Sequence, residues 1–362
     1  MSSSFHPTSL AMLGWNNHFI QQLSLDEWDD FIPVRVVEQH RAELVVATDM
    51  DSFTISIPAS LQQPIAVGDW LLLDHSKTLS RVLERHSVFS RKASGHKVKT
   101  QLIAANINTV FIVSSLNHDF NLNRIERYLV LANEAQVEPV VILTKSDLCE
   151  SEEAVQHMRD QVQGLDPYLN VITVNALDCQ QISLFSPWCK LGKTISVLGS
   201  SGVGKSTLVN LLLGEALLET GGIREDDSKG RHTTTGRSLH VIPVTADLSG
   251  GLVLDTPGMR ELQLANVEDG IEETFSDVMG FADQCRFSDC THAPDLSDES
   301  GCAVQQAILE GTLEERRLLS FQKLQKEDAF NSSSLAERRE KDKQFGKMIK
   351  SVMSEVKSRK KH

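Results

Sequence analysis

The sequence contains no long apolar run. Among its 362 residues, no stretch approaches the roughly 20 consecutive apolar residues that a membrane-spanning helix requires. The N-terminus lacks a basic start followed by a long apolar core, so we expect no secretion signal. These two absences argue against a protein that spans or contacts a membrane and favour a cytoplasmic location.

Cysteine is also scarce. The chain has six cysteines, and three of them, Cys149, Cys179 and Cys189, are scattered. Six cysteines in a chain of this size do not make a disulfide framework, which fits a reducing compartment.

Positive charge is in deficit, with 36 Lys and Arg against 49 Asp and Glu and a net charge of −13. This balance argues against a uniformly basic nucleic-acid binder. The end of the chain is the exception, since residues 338–362 hold ten Lys or Arg against three Asp or Glu, about +7. We expect a helical or disordered tail there, either simply solvated or in contact with RNA phosphates.

One stretch has a specific pattern. Residues 194–198 form a short apolar run typical of a buried strand, residues 199–206 match G-x-x-x-x-G-K-[S/T], and a helix pattern follows. This is the context of a phosphate-binding P-loop, in which backbone N–H groups surround phosphate, Lys205 reaches the β- and γ-phosphates, and Ser206 ligates Mg²⁺. The expected nucleotide-contacting residues are Gly199, Ser200, Ser201, Gly202, Val203, Gly204, Lys205, Ser206 and Thr207.

The surrounding chain alternates strand and helix patterns from about residue 100, which predicts a mostly parallel α/β sheet. Strands are predicted at 109–115, 139–143, 171–175, 239–244 and 251–254, with helices at 123–135 and 150–163. The last strand ends in D-x-x-G, formed by Asp255 and Gly258. In P-loop NTPases this aspartate orients a Mg²⁺-bound water, and the glycine N–H can bond the γ-phosphate.

A second motif suggests which base is bound. Thr144, Lys145, Ser146 and Asp147 follow a predicted strand and match the N/T-K-x-D motif that reads guanine in GTPases. A carboxylate at Asp147 accepts two hydrogen bonds from guanine that adenine cannot offer, which argues against a P-loop ATPase. Asn175 and Ala176 follow the next strand, where GTPases carry S-A-x.

The order of these motifs is permuted. Ordinary GTPases place the P-loop first and the base-reading motif later, whereas here the base-reading strands precede the P-loop. A compact domain tolerates this change because its termini often lie close together. The D-x-x-G segment then leads directly into the cysteine-rich segment, so nucleotide state could move that segment.

The N-terminal part has a different pattern. Residues 1–30 show little periodicity and predict an extension of uncertain order. Five short strand patterns follow at 34–37, 44–48, 53–57, 70–74 and 80–88. They favour a small OB-fold barrel, with an SH3-like barrel that only packs against its neighbour as the alternative.

The C-terminal part shows no strand pattern from residue 275 onward, and residues 303–310 and 313–324 are predicted helices. Cys285, Cys290, His292 and Cys302 supply three thiolates and one imidazole. This is a closed tetrahedral set suited to structural Zn²⁺.

Together these segments resemble the ribosome small-subunit-dependent GTPase family, RsgA (YjeQ). The similar stretches, over residues 33–325, are 67–70, 85–95, 101–106, 121–131, the P-loop, 230–235, 255–260 and 285–292. The resemblance implies an OB-fold, a circularly permuted GTPase domain and a zinc-binding domain. It also implies a GTP hydrolase that acts late in 30S subunit maturation and is stimulated by the subunit.

The resemblance also bears on individual residues. Met259 stands where Ras-like proteins carry a water-orienting Gln, so intrinsic hydrolysis should be slow. His232 is the best local substitute, although it could equally be an exposed loop histidine. Either Thr234 or Thr235 should bind Mg²⁺. The last zinc cysteine of the family lies about four residues nearer the histidine than Cys302 does.

We therefore expect an extension (1–32), an OB-fold (33–98), a permuted α/β P-loop GTPase domain (99–270), a C-terminal α-helical zinc-binding domain (271–325) and a tail (326–362). The expected cofactors are GTP or GDP, Mg²⁺ and one Zn²⁺ per chain. The expected partners are the 30S subunit and its 16S rRNA, with the protein a monomer. A non-catalytic RNA-binding module with structural nucleotide, or a P-loop ATPase, is the alternative.

Overall fold

The structure is a computed structural model, and it describes residues 9–40, 42–58, 61, 63–92, 100–215, 237–255, 264–293 and 301–332. It contains a small antiparallel barrel, a larger mostly parallel sheet flanked by helices, and a group of C-terminal helices. No helix within these ranges is long and apolar enough to cross a bilayer.

The N-terminal residues are more ordered than their weak periodicity predicts. From residue 9 the chain packs onto the barrel and contains α1 (Asn17–Ile20) and α2 (Leu25–Asp30). Ser24 and Glu27 form a capping box at the start of α2, which satisfies free backbone N–H groups there. Phe19 is fully buried beside Trp15 and Trp70, so tertiary packing orders a segment whose sequence has no regular pattern.

Arg35 joins this N-terminal segment to the rest of the chain. Its buried guanidinium donates to the carbonyl oxygens of Leu13, Gly68 (3.3 Å) and Asn106 (3.1 Å). These carbonyls belong to the N-terminal segment, to a turn of the barrel and to the connection into the larger sheet. Because a buried cation is costly without partners, the three acceptors fix all three segments around one side chain.

The barrel has the five strands expected of an OB-fold, but with different boundaries. They are β1 (Phe31–Gln39), β2 (Glu43–Ala47), β3 (Ser52–Ser56), β4 (Trp70–Asp74) and β5 (Leu79–Val82). β1 pairs with β2 and β4, β2 pairs with β3, and β4 pairs with β5, all antiparallel. This agrees with a partly open five-stranded barrel.

The prediction of a single strand at 80–88 is wrong. β5 ends at Val82, and Val88 begins β6 (Val88–Lys92), which forms a separate hairpin with β7 (Thr100–Ala105). Ser87 exchanges hydrogen bonds with the backbone of Ile107, at 2.7 and 2.8 Å, and so turns the chain toward the larger sheet.

The larger sheet carries the P-loop. Its strands are β8 (Thr109–Ser115), β9 (Glu138–Thr144), β10 (Asn170–Val174), β11 (Thr194–Leu198), β12 (Ser238–Val241) and β13 (Leu252–Asp255). The spatial order is β10-β9-β8-β11-β13-β12, and only β12 is antiparallel to its neighbour. β12 is shorter than the predicted strand and also pairs with β1 through Glu38 and Ser238, which joins the barrel to the sheet.

Helices follow the strands of this sheet, as the alternating pattern predicts. They are α3 (Leu122–Glu134), α4 (Glu152–Gln163) and α5 (Lys205–Leu213). Since the inner strands are parallel, the residues after β8, β9, β10, β11 and β13 gather at one edge, where such sheets bind their ligands.

The C-terminal part is helical, as the sequence predicts, and it packs against α3. It contains α6 (Glu268–Thr274), α7 (Ser276–Ala282), α8 (Ala303–Leu309) and α9 (Glu315–Ser332). Gly270 allows the closest approach, because a Cβ there would lie 2.3 Å from the carbonyl oxygen of Val130. α6 and α7 carry no strong sequence signal, and α9 extends beyond the predicted end at residue 324.

His86 gives the N-terminal packing a measurable pH dependence. Burial lowers its pKa to about 4, and the charges of Arg35, His18 and Lys193 act in the same direction. The folded state therefore favours neutral His86, and this contribution to stability is lost as the pH falls from about 6.5 toward 4. We expect a loss of roughly 1–2 kcal/mol in unfolding free energy, after allowance for the partial exposure of the ring.

Urea unfolding followed by tryptophan fluorescence at pH 7 and pH 4.5 would measure this loss. The variant His86→Gln should reduce the acid-dependent loss of stability, whereas His157→Gln, at an exposed position of α4, should not. An unchanged pH dependence in His86→Gln would contradict the assignment.

Candidate nucleotide site and metal centre

The P-loop connects the end of β11 to α5. Gly199, Gly202 and Gly204 have φ values of 148°, 78° and 100°, which L side chains rarely adopt. A Cβ on Gly199 would lie 2.4 Å from the carbonyl oxygen of Val113 in β8. Glycine is therefore required both for the turn of the loop and for its close packing on the neighbouring strand.

Lys205 is folded into this loop. Its Nζ donates to the carbonyl oxygen of Gly199 at 2.8 Å and to that of Ser200. Ser206 and Thr207 follow in the first turn of α5, and both are half-buried. The ammonium group thus lies within the loop that would surround the phosphates.

The T-K-x-D loop is bonded directly to the P-loop. Thr144 is buried at the end of β9, and its Oγ1 donates to the carbonyl oxygen of Val203 at 2.6 Å. Lys145 has a φ of 61°, and its Nζ donates to the carbonyl oxygen of Gly202 at 2.7 Å. Two consecutive residues of the T-K-x-D loop therefore donate hydrogen bonds to two consecutive carbonyl oxygens of the P-loop.

Ser146 and Asp147 continue from this junction in a short 3₁₀ helix, Ser146–Leu148. In the structure the side chain of Asp147 is exposed. A base seated against the loop would have to cover it. Burial of this carboxylate would then come from the ligand and not from the protein fold.

The remaining strand ends contribute two more segments. Asn175 and Ala176 follow β10, and the Asn175 Oδ1 accepts from the backbone N of Leu177 at 3.0 Å, which forms a tight turn. Asp255 is half-buried at the end of β13, whose Leu254 pairs with Ser196 of the P-loop strand. Asp255 therefore lies beside the strand that leads into the P-loop.

The structure brings the described site residues to one edge of the sheet, as the motifs predict. Several predicted residues lie outside the described ranges: His232, Thr234 and Thr235 before β12, Gly258 and Met259 after β13, and the basic residues 338–362.

The sequence analysis missed a cluster beside the P-loop. Arg124, in the first turn of α3, donates from Nη1 to the Oγ of Ser200 and to the Oδ1 of Asp119, both at 2.6 Å. Tyr128 lies one turn further along, where burial raises the pKa of its hydroxyl and nearby Ser200 acts in the opposite direction. Arg124 lies in the stretch 121–131 that carries the family resemblance, but no motif spacing links it to the P-loop.

The four predicted metal ligands converge. Cys285, Cys290, His292 and Cys302 present one ligand atom each, and all four atoms lie within 4.8 Å of one another. The Sγ atoms of Cys285 and Cys302 are 3.9 Å apart, and each lies 3.6 Å from the Nδ1 of His292. Tetrahedral Zn²⁺ bonds of about 2.3 Å to sulfur and 2.05 Å to nitrogen correspond to about 3.8 and 3.6 Å between ligands. The donor set fits zinc in identity, and the separations among Cys285, Cys302 and His292 fit it in spacing.

The surroundings of the cluster also suit a metal. Burial alone would raise the pKa of Cys285, but backbone N–H groups of Val304 and Ala303 at the start of α8 bring it below its usual value. Burial lowers the pKa of His292, which favours the neutral imidazole that a metal requires. Gln305 donates to the backbone oxygen of His292 at 2.7 Å and so holds that residue in its left-handed conformation.

The fold and the site define a P-loop nucleotide-binding protein of the GTPase type, with base-reading strands before the P-loop and a Cys₃His centre after it. Comparisons with known proteins agree. The family model described as RsgA GTPase matches residues 82–265, a little over half of the chain. The chain belongs to the RsgA GTPase family.

Curated relatives extend the match to nearly the whole chain. A Small ribosomal subunit biogenesis GTPase RsgA 2 from Vibrio parahaemolyticus is 52% identical over 350 residues, 97% of this chain and 94% of the relative. A Small ribosomal subunit biogenesis GTPase RsgA from Mesorhizobium japonicum is 45% identical over 329 residues, 90% of this chain and 91% of the relative.

Solved structures support the same fold. YjeQ from Thermotoga maritima is similar with a TM-score of 0.57 at 24% identity, covering 81% of this chain and 97% of that one. YloQ, described as a circularly permuted GTPase, gives a TM-score of 0.58 at 21% identity, covering 84% and 96%. A second family model, described as ABC transporter, matches residues 185–355, a segment that begins just before the P-loop strand.

Proposed function

We propose that this protein hydrolyses GTP to GDP and phosphate, binds the small (30S) ribosomal subunit through its 16S rRNA, and assists late maturation of that subunit. Hydrolysis is stimulated by the subunit. The protein acts as a cytoplasmic monomer.

The observation that carries this proposal is the T-K-x-D loop bonded to the P-loop, in a chain of the RsgA GTPase family. The hydrogen bonds from Thr144 and Lys145 hold a base-reading loop at a fixed position relative to the phosphate loop. The 52% identity over 97% of the chain to a protein named for small ribosomal subunit biogenesis supports the choice of partner.

The proposed phosphate chemistry uses the residues at the sheet edge. Lys205 leaves the carbonyls of Gly199 and Ser200 and binds the β- and γ-phosphates, while the N–H groups of residues 199–207 surround them. The hydroxyl and carboxylate oxygens of Ser206 and Asp255 are ligands suited to Mg²⁺, directly or through water. When bound, Mg²⁺ would neutralise phosphate charge, with Thr234 or Thr235 completing its ligands and the Gly258 N–H bonding the γ-phosphate.

The proposed base pocket lies between two strand ends. The Asp147 carboxylate accepts from guanine N1–H and the 2-amino group, and the Lys145 stem lies along the base. The backbone at Asn175 and Ala176 bonds guanine O6. Thr144 and Ser146 position this loop. An adenine nucleotide would leave Asp147 without its two donors.

Base specificity gives the first test. Asp147→Asn should weaken GTP binding by roughly 3 kcal/mol, more than a hundredfold, because an amide cannot accept both guanine donors. The same variant should gain affinity for xanthosine triphosphate, whose donor and acceptor pattern at position 2 is reversed. Fluorescent-nucleotide titration measures both affinities, with Glu150→Gln as a control that removes a nearby exposed carboxylate. Unchanged GTP affinity in Asp147→Asn, or equal competition by ATP in the parent, would contradict the proposed pocket.

The Cys₃His centre is proposed to hold one structural zinc per chain. Zinc bonded by Cys285, Cys290, His292 and Cys302 would join the end of α7 to the start of α8, and so stabilise the C-terminal helices.

Elemental analysis of protein purified without chelator should give one zinc per chain. Cys302→Ser should reduce this value strongly and lower the melting temperature, because a hydroxyl is a poor substitute for a thiolate. Cys179→Ser changes an exposed cysteine outside the cluster, so this variant should keep the parent's zinc content and melting temperature. A zinc content near zero in the parent would exclude the metal site.

The proposed stimulation follows from what the site lacks and from how the domains are arranged. Met259 cannot orient a water molecule, so efficient hydrolysis must wait for a change imposed from outside. We propose an OB-fold at 33–98, a GTPase domain at 99–270 and a zinc-binding domain at 271–325, with 1–32 and 326–362 as flanking segments. The two domains that flank the GTPase domain bind RNA together, and His232 then acts on the attacking water.

GTP hydrolysis measured with and without purified subunits tests this function. We expect 30S subunits to raise the rate about a hundredfold or more, equivalent to about 2.7 kcal/mol of transition-state stabilisation, with 50S subunits far less effective. The stimulation should weaken at high salt, because the contacts are largely to phosphates. His232→Ala should lower the stimulated rate more than GTP affinity. Equal rates with and without 30S subunits at low salt would exclude the proposal.

A further inference from the structure

Helix α3 contacts the P-loop at its first turns. Arg124 donates to the Ser200 hydroxyl at 2.6 Å and is itself held by Asp119. The backbone oxygen of Ser200 accepts from Lys205. One residue of the P-loop is thus bonded on one side to α3 and on the other to the lysine expected to bind phosphate.

The same helix is bonded to α9 by a buried ionic cluster. Glu126 is completely buried and accepts from Arg316 and Arg317, each at 2.9 Å, and from the Ser320 hydroxyl. Arg317 is also buried, and it donates to the Thr274 oxygen at 2.6 Å, at the end of α6. Burial alone would lower the pKa of Arg317, but Asp277 and Glu126 raise it above its usual value, so this guanidinium stays charged.

Further contacts follow along the length of α3. Arg127 pairs with Glu327 of α9 at 2.5 Å. Near its end, Glu134 accepts from the backbone N of Gly270 at 3.0 Å, where α3 and α6 are in backbone contact. A helix is stiff along its axis, and this one is bonded to the C-terminal helices at several successive turns. A displacement of those helices relative to the sheet therefore reaches Arg124.

We propose that α3 couples the C-terminal helices to the P-loop, with Arg124 as a positioning residue for GTP hydrolysis. This inference rests on the proposed function and names a route for the stimulation. When the subunit binds the C-terminal helices, α3 moves with them, and Arg124 repositions Ser200 and hence the loop that holds Lys205. The coupling is reciprocal, so the bound nucleotide also changes how firmly α9 is held.

The Arg127–Glu327 pair allows the coupling to be tested away from the nucleotide. Arg127→Glu places two like charges together, so it should loosen α9 from α3. We expect intrinsic hydrolysis, GTP affinity and 30S binding within about twofold of the parent, but a stimulation by 30S subunits that falls about tenfold or more. The double variant Arg127→Glu/Glu327→Arg should restore stimulation, because it re-forms the pair with reversed charges. Arg159→Glu, at an exposed position of α4, is the matched control and should retain full stimulation.

The outcomes separate this inference from the proposed function. If 30S subunits do not stimulate the parent, the proposed function is wrong, and the coupling is decided by hydrogen exchange alone. If the parent is stimulated and Arg127→Glu is stimulated equally, the coupling through α3 is wrong. The inference also fails if the double variant does not recover stimulation by 30S subunits. It fails as well if a pelleting assay shows that Arg127→Glu loses stimulation only because it no longer binds the subunit.

Hydrogen exchange tests the same coupling without ribosomes. At saturating nucleotide, amides of α9 should exchange at rates that differ about threefold or more between GDP and a non-hydrolysable GTP analogue. Arg124→Gln should remove this difference, and Arg124→Lys, which retains a donor, should keep part of it. A residue that only supports the fold would shift exchange equally with both nucleotides. No difference in the parent, or an undiminished difference in Arg124→Gln, would overturn the proposal.

Discussion

The hydrogen bond from the Thr144 hydroxyl to the Val203 carbonyl is the interaction on which the site depends. In this permuted chain the bonded residues of the T-K-x-D loop and the P-loop, Thr144 and Val203, are 59 residues apart, and no short peptide holds them together. Their relative position comes from the parallel pairing of β8 with both β9 and β11, and from the two donors at the end of β9. Thr144 supplies one hydroxyl donor to Val203, and Lys145 bonds the adjacent carbonyl of Gly202.

Much of the fold could be predicted because its signals are local. Residues 109–115 and 194–198 are apolar runs bounded by polar residues, and the structure assigns β8 and β11 to the same limits. The four metal ligands could also be named, since residues 271–325 contain no other thiol or imidazole. The convergence of their ligand atoms required the fold, in which Arg286 N donates to Gly301 O at 3.0 Å and Gln305 donates to His292 O at 2.7 Å.

What could not be predicted rests on contacts between distant residues. Trp15 and Phe19 have no periodic context, and they are ordered by Trp70 on a barrel strand. The strand predicted at 80–88 breaks because Ser87 bonds Ile107, beyond the next hairpin. Arg124 and Ser200 are separated by 76 residues, and nothing in their local sequence indicates that they touch. Sequence periodicity and motif spacing describe residues that are near one another in the chain, so they do not predict contacts of this kind.

The single pairing of β1 with β12 has a consequence for folding kinetics. Glu38 and Ser238 meet across this joint, about 200 residues apart in the chain. Closing so long a loop costs entropy, and nonlocal pairings of this kind slow folding. The barrel can close its other pairings among residues 31–82 as soon as they are synthesised. The end of β1 at Glu38, which pairs with β12, therefore stays unpaired until residue 238 has been made, whereas β4 already covers residues 31–35 of the same strand.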